Sequence, residues 1–232
     1  MRHANTYSIV AYDVTEGVCG VAISSGMPAI GSLSVYANAR AGAIATQALI
    51  NPLLGVDGLQ LVVHEPASHV LSRLLADDPA ADERQLVMVD RNGRTAGHSG
   101  EQIHPWSGHL LGDGYAVAGN MLVGKETVLA MEAQFVETDD KPLAERLLSA
   151  LEAGHAAGGD RRGDDSAALY VHDGRAYPYL DLRVDHHQEP IRELRRVYEV
   201  AKDELLPFVA ALPTRDNPAG SFEQLLRRDG KA

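Results

Sequence analysis

Positive charge is scarce in this chain. Lys and Arg total 21 against 32 Asp and Glu, leaving a formal net charge of −11. A nucleic-acid binder needs a basic face, and this composition does not supply one. Aromatic residues are also few, at 5%, which removes the platforms on which single strands stack. Cysteine occurs once, at Cys19, so there is neither an intramolecular disulfide nor an all-cysteine metal site. Cys19 lies in the apolar run from Val18 to Ile23 and is expected to pack there as a small apolar residue, not to act as a thiol. No apolar run reaches the length of a membrane span, and residues 1–5 contain no apolar segment of signal-peptide length. The expectation is a cytoplasmic protein that works on a small molecule, with neither nucleic acid nor membrane as partner.

What is present is core-forming material. Hydrophobic residues make up 45% of the 232, enough to bury a substantial interior. Thr6 to Ala11 and Val18 to Ser25 read as a pair of antiparallel strands, the second filled with small residues that suit a closely packed layer. Arg40 to Gln47 reads as a third strand. Pro52 ends it, and two helices follow between Leu53 and Ala76, broken near His64-Glu65-Pro66. Gln85 to Asp90 and Thr95 to Ser99 flank an Arg91-Asn92-Gly93-Arg94 turn, and Tyr115 to Gly119 is another short strand. Apolar spacing is helical from Lys125 to Ala153. Ser166 to His172 and Arg175 to Val184 read as a hairpin about Asp173-Gly174. A last helix, Pro190 to Leu206, carries Ile191, Leu194, Val197, Tyr198 and Leu205 on one stripe, with Pro207 expected to end or kink it.

Hairpins outnumber strand–helix–strand crossovers, which favours antiparallel sheets with helices outside. The organisation expected is an N-terminal extension over residues 1–5, one domain over 6–212 and a polar tail over 213–232. The last helix offers a face for a homodimer.

The histidines do not assemble into a metal motif. His186 and His187 point to opposite sides of an extended chain, and His98, His104 and His109 are spread over what reads as loop. No Gly-x-Ser-x-Gly elbow, phosphate-loop lysine or dinucleotide fingerprint occurs. Neither metal nor cofactor is expected. The most informative run is Gly158-Gly159-Asp160-Arg161-Arg162-Gly163-Asp164-Asp165. Adjacent arginines on a glycine-rich turn suit a carboxylate or phosphate, or else pair with their own Asp160, Asp164 and Asp165. The other feature is Thr6. A threonine at the start of a chain has a general base in its own α-amino group, whose pKa of about 8 lies near neutrality; periodicity alone makes Thr6 no more than a β-branched residue opening a strand.

Several segments together resemble the bacterial family known as domain of unknown function 1028. They are Thr6 to Asp13, Gly20 to Ser25, Ala45-Thr46-Gln47 with Asn51-Pro52, and Gly119-Asn120-Met121-Leu122. Gly158 to Gly163, Ser166-Ala167-Ala168 and Asp181 to Asp185 complete the set. Asp165 stands where the family pattern usually has glutamine. That family is similar to the N-terminal nucleophile hydrolases. The resemblance implies an α+β fold, a four-layer αββα sandwich of two antiparallel sheets, and hydrolysis of a non-peptide amide-type C–N bond. It makes Thr6 the nucleophile, Asn120 an oxyanion donor, and Arg161 and Arg162 the hold on an anionic substrate, with Ser24, Gln47 and Asp160 as further polar groups. Met1 is followed by the bulky Arg2, so removal of the initiator methionine does not expose Thr6: either Asn5–Thr6 is cleaved autocatalytically, or the true start differs, or Thr6 is not a nucleophile. The other readings are a small-anion binding protein of the same fold and a hydrolase that activates water without a free N-terminus.

Overall fold

The computed structural model describes residues 5–159 and 163–223. Strands β1 (Thr6–Asp13) and β2 (Val18–Ser25) open it, followed by β3 (Val35–Asn38) and β4 (Gly42–Ala48). Helices α1 (Pro52–Leu61) and α2 (Ala67–Ala76) precede β5 (Arg84–Asp90), β6 (Thr95–Ser99), β7 (Ser107–Leu111) and β8 (Tyr115–Asn120). Then come α3 (Glu126–Glu137), α4 (Leu143–Ala156), β9 (Ser166–His172), β10 (Leu180–Val184) and α5 (Pro190–Ala211).

The strands form two antiparallel sheets, one in the order β10-β9-β2-β1-β8-β7 and one in the order β3-β4-β5-β6. Alternation along each strand decides what each face packs against. On β1, Tyr7, Ile9 and Ala11 join Val128, Met131, Phe135, Leu147 and Leu151 of α3 and α4 in one core. Val10, on the opposite face, meets Val21, Ala43, Ala45, Val87, Val89, Ala116 and Ala118 between the sheets. The outer face of the second sheet buries Ile44, Leu86 and Met88 against Leu54, Val70 and Leu74 of α1 and α2. The layers are therefore helix, sheet, sheet, helix. Small side chains fill the inter-sheet layer, as the second strand's composition suggests. Cys19 is among them, its thiol donating to Gly42 O at 3.3 Å, and burial pushes its pKa up to about 12. Gly20 lets α4 lie close to the sheet, because a Cβ there would stand 2.6 Å from Tyr170 O and 2.8 Å from Leu147 Cδ1.

Several local expectations are corrected. The strand expected from Arg40 is β4 and begins at Gly42, and Arg40 and Ala41 belong to the turn that joins it to β3. Strands β3 and β7 are too short and half-exposed to show a period. His98 lies on β6, within the strand expected over Thr95 to Ser99, and His109 lies on β7, so neither is in a loop. The helical stretch from Lys125 to Ala153 is two helices, because Pro142 opens α4. Pro178 withholds a backbone donor, so β10 starts at Leu180, not at Arg175. Helix α5 runs through Pro207 to Ala211, with Val209 and Ala211 buried beyond the proline. Leu205 is exposed, and Ala201 and Val209 extend the buried stripe in its place.

Candidate functional site around Thr6

Thr6 is the first residue of β1, paired in register with Ser25 of β2 on one side and Asn120 of β8 on the other. Cross-strand partners share a face. Thr6, Ser25 and Asn120 therefore form a row on the inter-sheet side, at the end of the sandwich. Ser8, two residues along the same face, reaches across to the second sheet and donates to Gln47 Oε1 at 2.7 Å.

The Asn5–Thr6 peptide is held tightly. Gly26 N–H donates to Asn5 O at 3.2 Å, and Ser25 Oγ donates to the same oxygen at 3.0 Å. Ser25 Oγ accepts from Met27 N–H at 3.1 Å and lies 2.9 Å from Thr6 Oγ1. A serine hydroxyl has one proton, and Asn5 O takes it. Thr6 must then donate to Ser25. The result is a directed chain: Thr6 O–H to Ser25 Oγ, and Ser25 O–H to the carbonyl immediately before Thr6. Ladder alternation explains the closeness. The Asn5 and Gly26 contact makes that pair hydrogen-bonded, so Thr6 and Ser25 are the closer, non-bonded kind. By the same alternation the Thr6 N–H points toward β8 and Asn120.

Behind this row lies a buried network that sequence reasoning only grazed. Gln47 Nε2 donates to Gln85 Oε1 at 2.6 Å, and Asn120 Nδ2 donates to the same atom at 3.1 Å. Gln85 Nε2 faces Ser99 Oγ at 2.7 Å, Gly119 O at 2.9 Å and Gly108 O at 3.1 Å. Three acceptors around one nitrogen, with two donors at the oxygen, fix the Gln85 amide orientation. That in turn fixes Asn120, whose Oδ1 is fully buried and has no hydrogen-bond partner among the described residues. Ser99 continues the chain to His109 Nδ1 at 2.9 Å, and burial holds that imidazole below its usual pKa. Gln85 and Ser25 were absent from the sequence candidates. Both sit in unremarkable strand sequence, and only pairing across strands reveals them.

A cleft of about 960 Å³ opens at this end of the sandwich, with Thr6, Met27, Ala48, Met121, Asp165 and His186 in its lining. Ala48 and Met121 have φ of 66° and 56°, left-handed values that cost a side-chain-bearing residue energy. Each directly follows a buried amide, Gln47 or Asn120. Strain of this kind collects where geometry serves a site.

The remaining candidates fall in different places. Ser24 pairs with Tyr7 and lies on the helix-facing side, donating to Ser166 O at 3.1 Å. Gln47 is fully buried in the network. Asp160, Arg161 and Arg162 lie outside the described residues. Around them Gly158, Gly159 and Gly163 all take positive φ, the backbone freedom that glycine supplies. Tyr7 Oη donates to Asp164 Oδ2 at 2.8 Å, and His155 Nδ1 lies 2.8 Å from the same atom. Burial raises the Asp164 pKa, while those two hydrogen bonds pull it down. Asp165 is fixed through its backbone, its N–H donating to Ser25 O at 2.8 Å. Among the described residues no group of three or more His, Cys, Asp or Glu is placed to hold a metal, and no helix is long and apolar enough to cross a membrane.

No curated protein matches the chain. Among solved structures, protein SPO2555 from Silicibacter pomeroyi, of the DUF1028 family, superposes with a TM-score of 0.84 and 28% identity. That match covers 93% of this chain and 98% of the other. Anbu (ancestral beta-subunit) from Yersinia bercovieri matches far more loosely, with a TM-score of 0.38 and 10% identity over 89% of this chain and 98% of that one. The profile of the family of unknown function DUF1028 spans residues 6–194 and begins at Thr6 itself. The chain belongs to that family.

Proposed function

We propose that this protein is an N-terminal nucleophile hydrolase that cleaves a non-peptide amide C–N bond in a small molecule, with Thr6 as nucleophile after release of residues 1–5. The observation that carries the proposal is the Thr6–Ser25–Asn5 arrangement. Ser25 accepts from the Thr6 hydroxyl, while Ser25 Oγ and Gly26 N–H converge on Asn5 O. Two donors on a carbonyl oxygen are what a tetrahedral intermediate requires.

In processing, Thr6 Oγ1 bonds to the Asn5 carbonyl carbon and its proton leaves by way of Ser25. The Asn5–Thr6 C–N bond breaks, the proton arrives on the Thr6 nitrogen, and water hydrolyses the resulting ester. The freed amine faces β8. There we assign Asn120 Oδ1, which has no hydrogen-bond partner among the described residues, as the acceptor for it. An acceptor left without a partner at a cost of about 1–3 kcal/mol thus gains one when the amine forms. In this scheme Asn120 orients the base, because its amide N–H₂ is already directed at Gln85.

Turnover follows the same chemistry on a substrate. The amine takes the Thr6 proton as Oγ1 attacks the substrate carbonyl, and returns it to the departing nitrogen as the C–N bond breaks; water then hydrolyses the ester on Thr6, releasing the acid and restoring the hydroxyl. Ser25 Oγ and Gly26 N–H, released from Asn5, hold the oxyanion. An anionic end on the substrate is inferred from Arg161 and Arg162.

The test is hydrolysis of a panel of small amides by the wild-type protein and by Thr6→Ala. Turnover that disappears in a folded Thr6→Ala protein supports the proposal, and turnover that persists refutes the threonine mechanism. With the amine as base, kcat/KM rises with pH and reaches half its maximum at about pH 8.

A further inference from the structure

The cleft wall beside Thr6 is apolar. Met27, Leu33, Leu49, Ile50, Ile103 and Met121 all line it. Three of these keep a large part of their surface in water: Met27 at 40%, Leu33 at 49% and Leu49 at 45%. They come from separate segments, the loop after β2, the β4–α1 connection, the β6–β7 connection and the end of β8. Scattered exposed apolar residues need no explanation, but a set converging on one cleft does. The chain holds left-handed backbone at Ala48, just before Leu49, and at Met121, so two sides of this wall are kept at a conformational cost. Against it stand four ionisable residues among the described lining, Glu83, Asp165, His104 and His186, with no Lys or Arg. The volume of about 960 Å³ suits a ligand of drug size.

We propose that the substrate carries an apolar group next to its scissile amide, an alkyl or arylalkyl chain that seats on Met27, Leu33, Leu49 and Ile50 while the carbonyl lies at Thr6. The substrate class is an amphipathic amide. This rests on the reading of Thr6 as nucleophile for the position of the amide, though not for the apolar wall itself.

The experiment is calorimetric titration of primary alkanamides, from acetamide to decanamide, into the full-length wild-type protein and its Thr6→Ala variant. Affinity is expected to rise with chain length in at least one of them, by up to about fourfold per buried methylene. Leu49→Asp is expected to lower decanamide affinity by about tenfold or more and to leave acetamide unchanged. Leu33→Asp, from another segment, repeats the test should Leu49→Asp misfold. Affinity independent of chain length in both proteins, or a gradient that survives both aspartates, overturns the proposal. Hydrolysis of the same amides is scored separately. A binding gradient without turnover keeps the apolar cleft and removes the nucleophile, whereas turnover without a gradient does the reverse.

Discussion

The hydroxyls of Thr6 and Ser25 lie 2.9 Å apart, and the direction of that bond is set by what else Ser25 holds. Its proton is committed to Asn5 O and one lone pair to Met27 N–H. Ser25 is thus both acceptor for the nucleophile and donor to the carbonyl under attack. Ser25→Ala removes both functions and leaves Gly26 N–H as the remaining donor on Asn5 O. Loss of one oxyanion donor costs about 10²–10³ in rate, so release of residues 1–5 is expected to slow by at least that factor. A time course of the N-terminal sequence after purification measures it. Processing at the wild-type rate would contradict the relay.

Gln85 holds the network behind the site. Gln85→Leu leaves Gln47 Nε2 and Asn120 Nδ2 without their shared acceptor, and takes from Ser99 its Gln85 donor. Each orphaned buried group costs about 1–3 kcal/mol, so urea unfolding is expected to show a loss of about 3 kcal/mol or more. Since the same change frees Asn120, whatever activity survives should fall further than stability alone accounts for.

The burial of Asp164 sets the sign of a pH dependence in stability. Its folded pKa is raised by burial, so the folded state prefers the protonated carboxyl. The stability this contributes is fully present below the ordinary carboxylate value and is lost as pH rises through the raised one. Denaturation midpoints from about pH 4 upward should decline in the wild-type protein. In Asp164→Asn, which keeps an acceptor for Tyr7, that component of the decline should vanish. Parallel pH profiles in the two proteins would contradict it.

Ala48 pays for its position with a φ of 66°. A left-handed conformation costs a non-glycine residue about 1–2 kcal/mol, and glycine gives back about 0.4–1 kcal/mol through the unfolded chain. Ala48→Gly is therefore expected to raise stability by about 0.5 kcal/mol. Thermal unfolding checks it, and destabilisation would show that the methyl group is packed against something that matters.

Much of the architecture was legible because it depends on period. β2, β6 and β9 have the bounds their alternation predicts, and the helical stripe of Val128, Met131, Phe135, Leu147 and Leu151 is buried throughout. Elements without a period were not legible. β3 and β7 are four and five residues long and largely half-exposed, so their existence depends on the strands they pair with. The site divides in the same way. Thr6 and Asn120 could be named from the sequence, and the register places them side by side. Ser25 cannot be told from its neighbour Ser24 in the sequence, because adjacent serines differ only in which face they take, and pairing alone decides that. Some of the segments that carry the family resemblance serve the fold instead. Asn51 caps α1 by accepting from Leu53 N–H at 3.1 Å, with Pro52 at the first helical position, where proline loses nothing.

The most direct test of Thr6 as nucleophile is the intact mass of purified, untagged protein. The wild-type protein is expected to have a mass short by residues 1–5, with Thr6 as the new N-terminus, and Thr6→Ala to keep its uncleaved mass. A wild-type protein that keeps residues 1–5 would leave the Thr6 amine in a peptide bond. The sandwich and its cleft would stand, and Thr6 could not be the nucleophile proposed here.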